Sequence, residues 1–151
     1  MAAQSPTANI LTFPLAAPTQ RADRKPQAQA SDSPQQRFEQ LEQRIRQFRG
    51  DTVHQQWLDA YLDQGLELAC RAGQRELWAL QESWLHRMYR ALRDTGLDLK
   101  ASTPWRAACL EALYQPFFAL RHLPRGQHDP RCGQRLHVIL RDFAVISRHL
   151  V

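Results

Sequence analysis

Ser33-Pro34-Gln35-Gln36-Arg37-Phe38-Glu39-Gln40-Leu41-Glu42-Gln43-Arg44-Ile45-Arg46-Gln47-Phe48-Arg49-Gly50 is the stretch whose reading decides the fold. It opens on a residue favoured at a helix N-cap, followed by proline at the first helical position. Phe38, Leu41, Ile45 and Phe48 recur at spacings of three, four and three. On an α-helix that spacing lays them along one narrow stripe, set here among Gln, Glu and Arg. Gly50 is placed to supply a left-handed stop. A stripe this narrow packs against one groove, in its own domain or in a second copy.

Four similar blocks follow. The second helix, capped by Asp51 or Thr52, carries Trp57, Leu58, Tyr61, Leu62, Leu66 and Ala69 on one face and ends at Gly73. Asp59, Asp63 and Glu67 lie four apart on another face, a row of like charge that repels itself unless cations face it. Gly65 costs helix propensity and points to close approach of another backbone. The third helix, Gln74 to Asp94, has a broad stripe of Leu77, Trp78, Trp84, Leu85, Met88, Tyr89 and Leu92, as befits a central helix, and Thr95-Gly96 closes it. Thr103-Pro104 repeats the cap-then-proline device ahead of Trp105, Cys109, Ala112, Leu113, Phe117 and Leu120. Pro116 predicts a kink there or an end near Gln115. After a loop from Leu123 to Pro130, a last helix from Arg131 to Leu150 turns Leu136, Ile139, Leu140, Phe143 and Ile146 inward.

Upstream, residues 1–33 have no such rhythm. Pro6, Pro14, Pro18 and Pro26 sit among Ala, Gln, Ser and Thr, a composition that cannot offset the entropy of ordering. Its one apolar island, Ile10-Leu11-Thr12-Phe13-Pro14-Leu15, is either a docking motif or incidental. The expectation is an all-α protein: a four- to five-helix bundle over 34–151, preceded by a disordered tail.

Composition narrows the function classes. No run is long and apolar enough to span a bilayer, and the N-terminus has no basic flank before an apolar stretch. Three cysteines, Cys70, Cys109 and Cys132, make an odd and sparse set, unlike a secreted disulfide scaffold. A cytoplasmic location with reduced thiols is therefore expected, with Cys70 and Cys109 on apolar helix faces. The net charge is +5, and 18 of the 20 cations are Arg. Residues 51–73 carry −3 and residues 121–151 carry +4.

The residues offer little chemistry. His122, His128, Asp129, Cys132 and His137 are the densest set of potential metal ligands, but none of their spacings matches a metal-binding pattern. Cys109 near a helix N-terminus is the best thiol, yet it lies on the apolar stripe. No nucleophile elbow, phosphate loop or zinc-protease motif is present. Glu82 and His86 are four apart, not the Glu-x-x-His of di-iron bundles. No enzyme activity, metal or cofactor is expected.

The surfaces are the better candidates. The Phe38/Leu41/Ile45/Phe48 seam and the Asp59/Asp63/Glu67 row are predicted to bind a protein partner or a second copy. Arg121, Arg125, Arg131, Arg135, Arg141 and Arg148 form the alternative, a surface for nucleic acid phosphates.

Two strings resemble a known family. Tyr61-Leu62-Asp63-Gln64-Gly65-Leu66-Glu67-Leu68-Ala69-Cys70 has the form Y-L-x-x-G-x-x-L-x-C. Trp105-Arg106-Ala107-Ala108-Cys109-Leu110-Glu111, followed by Pro116, has the form W-R-x-x-C-L-[DE]-x(4)-P. Both are similar to stretches of the small fumarase-associated proteins of pseudomonads, encoded in an iron-starvation operon beside an iron-independent fumarase. The likeness covers the middle of the chain, and the leader has no counterpart in that family. It implies a small cytoplasmic helical protein tied to iron limitation and transfers no functional residue. The function expected is that of a non-enzymatic bacterial accessory or regulatory protein acting through helical surfaces.

Overall fold

Ser33 starts the first helix by a reciprocal cap. Its hydroxyl accepts from the Gln36 amide at 3.2 Å, while its own amide donates to the Gln36 side chain at 2.9 Å. Two of the amides that a helix start leaves unpaired are thereby satisfied. The computed structural model describes residues 32–124 and 129–150. The Ile10–Leu15 island, nearly all of the predicted tail, Arg125 and His128 fall outside these residues.

Every regular element among the described residues is helical: α1 (Pro34–Gln47), α2 (Gln55–Gln74), α3 (Trp78–Leu97), α4 (Thr103–Ala112), α5 (Tyr114–Arg121) and α6 (Cys132–Ser147). The predicted fourth helix is thus two. Pro116 has no amide to give the Ala112 carbonyl, and the helix breaks at Leu113, three residues ahead of the proline. Other boundaries moved as well. His54, not Asp51 or Thr52, precedes α2, and α3 begins at Trp78 rather than Gln74. Ser102 precedes α4, but its hydroxyl donates to the Gly50 carbonyl at 2.9 Å instead of capping the helix.

Helix α3 is the centre. Helix α2 packs antiparallel to it: Gly65 lies against Met88 and Gly73 against Gln81. A Cβ on Gly65 would fall 2.3 Å from the Met88 sulfur, so the close approach is to a side chain rather than to another backbone. Helices α1 and α6 run parallel to α3, because their polar links advance together along both partners. Glu42 meets Arg87 and Arg46 meets Asp94; Arg135 meets Glu82 and Asp142 meets Arg93.

The Phe38/Leu41/Ile45/Phe48 seam faces this interior. Phe38 and Ile45 are fully buried, and Leu41 and Phe48 pack against the same core. Phe38 stacks on Tyr61, and Phe48 meets Trp57 and Trp105 edge to face. The buried Trp105 indole donates to the Ile45 carbonyl at 3.2 Å, taking an acceptor that the end of α1 would otherwise leave open. Partner binding through this seam is therefore corrected: the stripe is filled by the chain's own α2, α3 and α4.

The glycine stops are corrected too. No described glycine has a positive φ, and α1 ends in an extended Phe48. The left-handed position after α2 belongs to Glu76, at φ 59°. There the Leu77 amide bonds the Ala72 carbonyl at 2.9 Å and the Glu76 amide bonds Gly73 at 3.0 Å, the Schellman pattern that favours glycine at this point. A side chain in this conformation costs roughly 1 kcal/mol. Glu76→Gly is expected to raise stability by about 0.5–1 kcal/mol in urea denaturation, since relief of strain exceeds the added freedom of the unfolded chain.

Candidate functional site

Glu82 is 3 % exposed, the most deeply buried ionisable side chain among the described residues that forms ion pairs. It lies on the flank of α3 that faces α6. Arg135 grips it with two bonds, Nε to Oε1 at 2.6 Å and Nη2 to Oε2 at 2.9 Å. His86, one turn on, lies 3.2 Å from the same carboxylate, and the Cys132 thiol abuts it. Asp129 meets the outer side of Arg135 at 3.4 Å. The hydrogen bond from Arg135 holds Glu82 below the usual carboxylate range, outweighing burial. Burial, with less help from Arg90 and Arg135, pushes His86 below the usual imidazole value against the pull of Glu82. Burial and the Glu82 charge push the Cys132 thiol up. At neutral pH the cluster is therefore an ionised carboxylate, a guanidinium, a neutral imidazole and a protonated thiol. That is a clamp, and a poor nucleophile.

A second clamp lies seven residues further along both helices. Asp142 accepts from the Tyr89 hydroxyl and from Arg93 Nε, each at 2.7 Å. Between α6 and α1 the outer surface of α3 stays open. Ser83 and Arg90 line both of the adjoining hollows there, of about 320 and 420 Å³. One is walled by Arg135 and Asp129, the other by Glu42 and Arg46.

The surface that the core leaves unexplained is the outside of α5 and α6. Tyr114 (56 % exposed), Phe118 (46 %) and His122 form a ladder at successive turns of α5, with ring centroids 5.7 and 4.1 Å apart. Phe143 of α6 joins it, stacked on Phe117 at 4.0 Å and 6.3 Å from Tyr114. Beyond Phe143, α6 exposes His137, Val138, Arg141, Ala144, Val145 and Arg148 as one face. Val138 is 64 % and Val145 57 % exposed. Helix α6 thus carries a second apolar stripe, outward, interleaved with arginine.

The sequence-predicted residues divide accordingly. Arg121, Arg131, Arg141 and Arg148 are exposed, and none has a carboxylate in salt-bridge range among the described residues. Arg135 is withdrawn from the phosphate-binding set, being committed to Glu82. Asp59, Asp63 and Glu67 are all exposed on α2. Gln55 donates to Asp59, Arg71 pairs with Glu67 within the helix, and no cation from another element faces the row among the described residues. Cys109 is buried, its thiol pushed up to about 12 by burial. Cys70, expected on an apolar face, is exposed beside the acidic row. No group of three or more potential ligands that could hold a metal occurs among the described residues, and His122 Nδ1 lies 2.8 Å from the Phe118 carbonyl. No helix among the described residues is long and apolar enough to cross a membrane.

Sequence reading missed both clamps and the aromatic ladder. The ladder has a plain signal, Tyr114, Phe118 and His122 at i, i+4 and i+8. The clamps have a weaker one, the shared seven-residue offset of Glu82/Tyr89 and Arg135/Asp142.

No family model matches the chain, and no match is found among the curated proteins or the solved structures. The residues that carry the resemblance to the fumarase-associated proteins are mostly interior: Tyr61, Leu62, Gly65, Trp105, Cys109 and Pro116 are buried. They bear on packing more than on any surface.

Two outcomes follow. Arg135→Ala strands a buried carboxylate and is expected to cost about 3 kcal/mol. Glu82→Gln leaves behind only a half-exposed guanidinium that water reaches, and is expected to cost about 1 kcal/mol; paired urea titrations measure the ratio. Acidification should destabilise in two stages. His86 has a lowered folded pKa, so below about pH 6.5 the unfolded chain takes up its proton first and stability falls. Glu82, also lowered, withdraws its contribution below about pH 4.5 and Asp142 below about pH 3.8. His86→Gln should flatten the first stage and leave the second.

Proposed function

We propose that this protein is a non-enzymatic accessory or regulatory factor that works by docking a protein partner on the outer face of α5 and α6. The observation that carries the reading is the exposed Tyr114–Phe118–His122 ladder beside a second apolar stripe on α6. Large apolar side chains gathered on one face mark interaction surfaces when the fold does not use them. Arg121, Arg141 and Arg148 around them select an acidic partner surface. A bacterial cytoplasmic setting, and a link to iron limitation through the family resemblance, belong to the same proposal.

Nucleic acid is the second reading, supported by the same exposed arginines. The ladder argues against single strands. Its rings lie against one another, so Phe118 has neighbours on both sides and few free faces on which bases would stack. A partner side chain would instead lie along the ring edges.

The test is affinity capture from the native host, with wild type and Phe118→Glu as baits matched for far-UV spectrum and melting temperature. A protein retained by wild type and lost by the variant supports the reading. Identical captured sets from both baits overturn it. For the second reading, duplex DNA affinity should fall about 10³-fold or more between about 50 and 200 mM salt if phosphate contacts dominate.

A further inference from the structure

Resting on that reading, we infer that the partner surface is a second copy of this chain: the acidic row of α2 in one copy docks on the arginine-bearing outer face of α6 in another. Among the described residues neither row meets an opposite charge from another element, and Glu67 alone of the acids is paired, with Arg71 one turn on in its own helix. Asp59, Asp63 and Glu67 are exposed at successive turns, and no cation from another described element faces them. Asp59 and Asp63, one turn apart with no cation in salt-bridge range among the described residues, repel each other until opposite charge comes from outside. Arg141 on α6 and Arg148, which caps its C-terminus, stand two turns apart, both exposed and without a carboxylate in salt-bridge range among the described residues.

The two rows match in length as well as in sign. At a rise of about 1.5 Å per residue, Asp59 to Glu67 spans about 12 Å and Arg141 to Arg148 about 10 Å. A helix laid along α6 therefore brings its acids to both arginines at once. Val138, Ala144 and Val145 between and beside the arginines meet the half-exposed Ala60 and Leu66 that flank the acids. The rows lie on different sides of α3. Met88 and Gln81 meet α2, whereas Glu82, Tyr89 and Arg93 meet α6. The acids of one molecule therefore do not reach its own arginines along the helix faces. The contact is heterologous, each copy offering one surface and receiving the other.

Reciprocal charge reversal in the full-length chain tests this, read by sedimentation velocity and equilibrium across protein concentration and at about 0.05 and 0.5 M salt. The acidic-row variant is Asp59→Arg with Asp63→Arg; the arginine-row variant is Arg141→Glu with Arg148→Glu. All four positions are exposed, and far-UV spectra and melting curves verify each fold. Wild type should associate reversibly and more weakly at high salt. Each variant alone should associate at least about ten-fold more weakly, because like charges then face each other. An equimolar mixture of the two should regain association, since the reversed rows are again complementary.

A wild type that stays monomeric, or an association that neither reversal weakens, overturns the inference. A monomer whose arginine-row variant loses a protein captured from the host overturns self-docking while the protein-docking reading stands. A monomer that binds duplex DNA through those arginines, with steep salt dependence and no captured protein, overturns both.

Discussion

An ionised carboxylate inside a helical bundle needs a cation beside it, and Glu82 imposes that requirement on the whole domain. Removing it from water without a partner would cost several kcal/mol. Arg135 supplies both bonds, at 2.6 and 2.9 Å, and sits on α6. Helix α6 must therefore run along the flank of α3 that carries Glu82. Asp142 with Tyr89 and Arg93 repeats the link seven residues on and fixes direction and register together. Apolar packing alone tolerates sliding by a turn, whereas two polar links at matched spacing do not.

The same logic runs on the other flank. Glu42 accepts from Tyr61 and Arg87, and Arg46 and Arg49 reach Asp94 and Asp98. Helix α3 is thus held between two parallel neighbours by charge, while antiparallel α2 closes on it through apolar contact at Gly65 and Met88. What remains open follows from this division. Between α1 and α6 the outer side of α3 forms a shallow polar channel around Ser83 and Arg90. Helix α6, satisfied on its inner face by Leu136, Ile139 and Ile146, still carries apolar side chains outward.

Particular residues show how far the sequence could be read. Ser33-Pro34 marked a true helix start because a cap acts within one turn, and Gln36 completes it. The stripes of α2, α3 and α6 were legible because 3.6-residue periodicity is local. The stop assigned to Gly50 failed because the Trp105 indole and the Arg49 side chain take the carbonyls at the end of α1, leaving no need for a left-handed residue. Phe38 and Ile45 were legible as a seam, but whether a seam meets the same chain or another is not a local property. Cys70 was misplaced for a different reason: three residues from Glu67 and seven from Asp63, it shares the exposed acidic face of α2 and not the Leu58/Leu62/Ala69 stripe.

The sequence by itself determined that the chain is helical, where most of its helices lie and which stripe of each is apolar, since periodicity, capping and proline act over a few residues. Only the tertiary structure decided which charges are partners. Glu82 and Arg135 stand 53 residues apart in the chain and 2.6 Å apart in space. Asp59, Asp63, Arg141 and Arg148 look no different from them in sequence and are left at the surface. An arginine bound to a buried carboxylate and an arginine left at the surface differ in their surroundings, and surroundings are made by packing.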